Sequence, residues 1–297
     1  MQLKITKIGF LYIFLTILLG ISAINTGNNL LFVLVSFLLS FMLLSGWFAK
    51  LNLRWLQISF SFPEECYAQL PTLIKITLIN HKKIIPSFLV KLEFQIKGSK
   101  DSSSYSTTFF LLEKNSEKIL SILPLERGYN YLERVVIFSN FPFNFFVLKK
   151  YLKIKEKFLV FPKPMNCTDF SEEFIHPYRS EKPYLSGEGS GEFKEIKDYL
   201  PAVPKKYISW KHTARFEETI KIKSFSQEVI NPVLINFEQF KVQDLEKKIS
   251  CITYLILENL KKGIPTGLKI NGKFFSPQVS HLHKFNMLKE LALYERN

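Results

Sequence analysis

Cysteine is scarce in this chain, with 3 in 297 residues, at Cys66, Cys167 and Cys251. Isolated and without a CxxC pair, they predict neither a thiolate metal site nor a structural disulfide. Histidine numbers only 5, and His281 and His283 have no Cys, Asp or Glu beside them at a metal-ligand spacing, so no metal is expected. Phosphate-loop order is missing too. Gly187, Gly189 and Gly191 are followed by no Gly-Lys-Ser/Thr and do not make the G-x-G-x-x-G turn between strand and helix. That argues against a bound nucleotide, and no cofactor is expected.

Acidic residues are outnumbered, 26 against 40 Lys and Arg, for a formal net charge of +14. Such an excess suits nucleic acid or an anionic membrane surface. No arginine-rich run, zinc finger or RNA-recognition signature supports the first, so no nucleic-acid partner is expected.

Two long apolar runs, residues 8–24 and 30–49, contain no charged side chain. Each is close to the roughly 20 residues a helix needs to cross a hydrocarbon core. The link at 25–29 (NTGNN) is polar and turn-forming, which predicts a tight antiparallel hairpin over residues 1–52. Lys4 and Lys7 precede the first run, and Lys50 and Arg54 follow the second. The positive-inside rule then keeps both ends, and the rest of the chain, in the cytoplasm beside the inner membrane. A secretory signal peptide is the rival reading of the first run, and the second would still return the chain inside.

From residue 53 to 162 the pattern changes to short β-branched and aromatic segments at 56–62, 73–79, 88–96, 107–112, 118–123, 134–138 and 158–161. Seven such strands predict a β-sandwich of immunoglobulin-like size. The serine-rich stretch 98–108 reads as a hairpin loop or an exposed tip. Residues 163–297 begin with a strandless polar linker to about 183. An α/β unit follows: a strand at 233–237, a helix at 242–262 closed by Gly263, a strand at 266–270 and a helix at 283–294. The fold class is therefore an α+β membrane protein.

No catalytic arrangement stands out. Cys251 falls on the apolar side of its helix as a buried small hydrophobe, and Glu195 and Asp198 suit a solvated face. What remains is the polar stretch 187–215, GEGSGEFKEIKDYLPAVPKKYISWKHTAR. In a helix, Lys211 and Arg215 would share one side and offer two cations to a carboxylate or phosphate. Trp210 could anchor the segment or serve as an interface hot spot. The structural alternative packs Trp210 in the core and pairs Arg215 with Glu192 or Glu195.

This stretch resembles the signature of the bacterial "domain of unknown function 58" family. The matching residues are Gly189, Gly191, Phe193, Tyr199, Pro201, Ile208, Trp210, Lys211, Ala214 and Arg215. Arg127-Gly128, the S-x-x-P-F run at 139–143, the second apolar run's start at 28–31, Gly267-Leu268 and residues 283–293 are similar to further family elements. Ala202-Val203 and Tyr207 depart from it, where Gly-Asp and a second Arg are common. The resemblance implies a membrane-anchored protein whose last part is similar to a portion of a von Willebrand factor A domain. It also implies partners of the MoxR-type AAA+ ATPase and transglutaminase-like membrane protein classes, and no established reaction. The strand at 233–237 lacks the Asp-x-Ser-x-Ser of a metal-binding A domain. The expectation is a non-enzymatic partner-binding or scaffold protein. The alternative is an enzyme or binding protein for an anionic lipid or envelope precursor, with Lys211 and Arg215 as its anion site.

Overall fold

The computed structural model describes residues 1–83, 85–99, 101–167, 175–177, 184–185, 193–198, 208–214, 219–225 and 229–294 apart from 241 and 243. The chain divides into two units, residues 1–163 with 292–297, and residues 164–291.

The first unit opens with a short strand, β1 (Gln2–Ile5), and two helices, α1 (Lys7–Thr26) and α2 (Asn29–Asn52). Both helices are long and apolar enough to cross a membrane, with mean hydropathies of 2.1 and 2.3. Only 17% and 6% of their most apolar windows are buried, unlike the core helix of a soluble domain. The link is shorter than the sequence suggests, because capping residues extend both helices. Gly27 ends α1 in the left-handed region at φ 61°, and the Asn28 side chain accepts from Leu30 N to start α2. Thr6 caps α1 at its start by accepting from Gly9 N. The buried residues of α1 are Gly9, Thr16 and Ala23, all small and seven apart, a spacing that lines one side of a helix. Small side chains there let neighbouring backbone come close.

Eight strands follow: β2 (Leu56–Ser61), β3 (Thr72–Asn80), β4 (Ser87–Lys97), β5 (Ser102–Leu112), β6 (Asn115–Ile122), β7 (Gly128–Ser139), β8 (Phe146–Leu152) and β9 (Lys157–Val160). One antiparallel sheet runs β1-β8-β7-β4-β5, with β9 also on β7, and a second runs β2-β3-β6. Alternation of buried and exposed residues along β2 and β3 sends Leu56, Ile58, Phe60, Ile74, Ile76 and Leu78 into a core shared with Val90, Leu92, Phe94 and Ile137 of the other sheet.

Three elements correct the sequence reading of this unit. Residues 102–106 extend β5 instead of forming a loop, because they pair in register with β4 from Lys97↔Ser102 to Glu93↔Ser106. Strand β8 was not foreseen, since its lysines at 149 and 150 interrupt the apolar alternation. Nor was β1, which pairs antiparallel with β8 from Gln2↔Lys149 to Ile5↔Phe146.

The second unit contains β10 (Ile175–Pro177), β11 (Tyr184–Leu185), β12 (Phe193–Asp198), α3 (Trp210–Thr213), β13 (Lys221–Phe225), β14 (Val229–Ile230), β15 (Val233–Asn236), α4 (Leu245–Lys261), β16 (Thr266–Ile270), β17 (Lys273–Gln278) and α5 (His281–Leu293). Its main sheet runs β10-β15-β16-β17, and β11 pairs with β14. The expected strand, helix, strand order holds, with β15 and β16 parallel on either side of α4. Asp244 caps α4 through Glu246 N, and Ile249, Ile252, Leu255 and Ile256 are buried along one side. The stretch expected to be a strandless linker supplies β10, which pairs with β15. Strand β17 was also missed, although Asn271-Gly272 between two β-rich runs is a hairpin signal; both residues have positive φ, 49° and 72°.

The expectation of no disulfide is overturned. Cys167 and Cys251, 84 residues apart, are bonded, with Cα atoms 5.5 Å apart. Met165 N donates to Ser250 O at 3.2 Å, which lays the incoming segment along α4 and brings the thiols together. Spacing along the chain carries no trace of such a tertiary approach. Cys251 is buried as anticipated, as part of this pair.

Candidate functional site

The family-like segment forms a small platform in the second unit. β12 and β13 pair antiparallel from Phe193↔Phe225 to Asp198↔Lys221, with an irregularity after Phe193. An isolated bridge joins Ile208 to Ile222, and the single turn α3 follows at once.

Hydrogen bonds fasten that turn to β13. Ser209 N donates to Lys221 O at 2.8 Å, and Lys221 N donates to Thr213 Oγ1 at 3.0 Å. Thr213 Oγ1 in turn donates to Ser209 O at 3.1 Å. Thr213 thus closes a loop between the turn and the strand, a role that sequence reading missed. A Ser or Thr at each end of a short polar turn was the available signal.

Ser209 Oγ lies 2.9 Å from His212 Nδ1. A Ser-His contact can activate a hydroxyl, but Ser209 is only 5% exposed and its backbone is bound on both sides. Here the pair braces the turn. Nearby, Lys221 Nζ stands 2.5 Å from Asp198 Oδ1 across the ladder. Hydrogen bonding from the Lys221 and Thr219 side chains holds the Asp198 carboxyl below its usual range.

Trp210 opens α3 and is 69% exposed. The reading in which it packs in the core is therefore set aside. Lys211 and Ala214 are exposed beside it, and Ile208 is half-buried at the bridge. Phe193 heads β12. Gly189, Gly191, Tyr199, Pro201 and Arg215 lie outside the described residues, and so do the expected shared face of Lys211 and Arg215 and any pairing of Arg215 with Glu192 or Glu195. The platform accordingly brings Ile208, Trp210, Lys211 and Ala214 together at the Lys221 end of the ladder, whereas Phe193, paired with Phe225, stands at its opposite end.

The other elements that carry the resemblance make structural contacts within each unit. Arg127 is buried and donates through Nη1 to Tyr294 O at 3.1 Å. Ser139 Oγ donates to Phe88 O at 3.2 Å and accepts from Asn52 Nδ2 at 2.9 Å, joining the end of α2 to two strands. Phe143, at the other end of the same run, and Phe145 just beyond it pack with tilted rings against Phe41 and Tyr12 at ring-centre distances of 4.3 and 4.4 Å. His283 Nε2 meets the Thr266 carbonyl at 2.9 Å, a buried contact between α5 and β16. Among the described residues no group of three His, Cys, Asp or Glu could hold a metal ion.

No family model and no curated protein matches the chain.

Proposed function

We propose that this chain is a membrane-anchored scaffold whose β12–β13–α3 platform docks a protein partner through Trp210. The observation that carries this reading is Trp210's exposure on a turn bound tightly to the strand beneath it. A large aromatic held outward on a rigid base loses little conformational freedom on binding, the usual character of an interface hot spot. Its neighbour Lys211 adds a cation at the edge of the same surface.

In this reading α1 and α2 form a transmembrane hairpin, and the two sheets of the first unit make an immunoglobulin-like sandwich. The second unit corresponds to part of a von Willebrand factor A-like domain. The lysines and arginine flanking the hairpin favour the cytoplasmic side of the inner membrane. There the reducing thiol pool would hold Cys167 and Cys251 as a dithiol. The resemblance to the "domain of unknown function 58" family points to a MoxR-type AAA+ ATPase as the partner class.

Co-purification from mildly solubilised membranes tests the proposal, with the full chain and its Trp210→Ala variant compared after both are shown to be folded. An AAA+ ATPase that accompanies the natural chain and is lost from the variant is the expected result. Equal recovery with both chains would remove Trp210 from the interface.

A further inference from the structure

A cleft of about 570 Å³ opens where α2 meets the first unit's strands, outside the platform. Its apolar lining is Leu51 and Ile85, and its charged lining is Arg54, Lys82 and Lys83, with no acidic residue contributing. Trp55 and His81 complete it.

The cleft is held in shape. Trp55 has φ 56°, a left-handed conformation that bulky residues rarely adopt, and Trp55 O accepts from His81 N at 3.1 Å. The indole nevertheless faces outward, 58% exposed, with the Arg54 guanidinium 4.4 Å from its centre. Lys82 is only 9% exposed and its Nζ donates to Leu51 O, Asn52 O and Ser87 Oγ at 3.1, 3.0 and 2.5 Å. Its ammonium is committed to the helix end, so Arg54 and Lys83 are the cations on offer, and both are exposed. His81 Nε2 is 2.9 Å from Gln57 Oε1.

We infer that this cleft binds the headgroup of an anionic phospholipid, with the phosphate between Arg54 and Lys83 and an acyl chain along Leu51 and Ile85. The inference rests on the reading of α1 and α2 as membrane-spanning. On that reading the end of α2 comes out at the headgroup layer, where tryptophan and basic side chains find both an apolar and a wet surface. Cations lining a pocket at that level select anionic headgroups over zwitterionic ones. The apolar lining distinguishes a lipid from a free phosphate, which would leave Leu51 and Ile85 uncovered.

Tryptophan quenching by brominated lipids tests it on the full chain reconstituted in phosphatidylcholine vesicles. Trp47→Phe with Trp210→Phe leaves Trp55 as the reporter, and Trp55→Phe with Trp210→Phe leaves Trp47 on α2 as the control. Brominated phosphatidylglycerol should quench Trp55 at lower mole fraction than brominated phosphatidylcholine does. R54Q with K83Q should remove that preference, a loss of roughly thirtyfold for two surface cations. Lys82 is left unchanged to spare the helix end. Equal quenching of Trp55 by the two lipids would overturn the site. So would a preference equally strong at Trp47, which would signal diffuse attraction to a basic surface. Loss of the preference on adding inorganic phosphate would reassign the cleft to free phosphate. If neither lipid quenches Trp47, the membrane-spanning reading itself fails.

Discussion

Lys82 Nζ stands 3.0 Å from the carbonyl oxygen of Asn52, so the second apolar helix ends on an ammonium carried by the connection between β3 and β4. Asn52 answers with its side chain, accepting from Phe88 N at 2.8 Å and donating to Phe88 O at 2.7 Å. Helix end, β4 and the turn before it are therefore locked as one piece. A cation at a helix C-terminus also offsets the partial negative charge there.

Burial pulls the Lys82 pKa down to about 8. The unfolded value is near 10.4, so between these two pH values the unfolded chain binds more protons than the folded one. Stability from this group should rise with pH across that window and be flat below it. Chemical denaturation of the detergent-solubilised protein from neutral pH upward would show the slope, and Lys82→Met should flatten it.

Gly9 has no room for a side chain. A Cβ there would overlap the Phe145 carbonyl oxygen, whereas one at Gly20 of the same helix would meet nothing within 4 Å. Gly9→Ala should destabilise the protein by about 1–3 kcal/mol through forced backbone movement. Gly20→Ala should be neutral or slightly stabilising. Thermal denaturation of the two variants side by side checks both statements.

Trp210→Ala should change the stability of the second unit by less than about 0.5 kcal/mol, as expected of an exposed side chain. Thr213→Val should cost about 1–2 kcal/mol, because Lys221 N and the turn lose the same oxygen. Denaturant titrations separate a docking residue from a bracing one in this way.

Reduction of the Cys167–Cys251 bond should lower stability by roughly 4.5 kcal/mol, the chain-entropy value for a loop of this length. Cys66 is buried and free. Unfolded without reductant, the oxidised chain should therefore titrate one thiol, and after reduction all 3. Protein quenched with alkylating agent directly from cells reports the pair's state in its own compartment, and a reduced pair there supports the cytoplasmic placement.

How much was legible in the sequence depended on the range of the interactions. The apolar helices and the alternating strands announce themselves, since Leu56, Ile58 and Phe60 point inward by local period alone. Strand β1 does not: Gln2–Ile5 is four exposed residues whose conformation is set by β8, far along the chain. The serines of β5 gain their extended form from β4, against their own turn preference. At the platform, Trp210 was legible as a prominent residue, but its direction depended on Ser209 and Thr213 gripping β13. The cleft at Trp55 left no motif, because its members come from the end of α2 and the residues after β3.

The pairing of β1 with β8 bears on how the molecule is made. Residues 2–5 precede both apolar helices, yet their partner at 146–149 is synthesised more than a hundred residues later. At about 5–20 residues per second the earliest segment waits many seconds for its place. If the hairpin spans a bilayer, as proposed, both its ends must face the same compartment before that sheet can close. On that proposal, insertion of the hairpin is tied to completion of the sheet: were only one of the two helices to cross, β1 and β8 would lie on opposite sides and the sheet would be left one strand short.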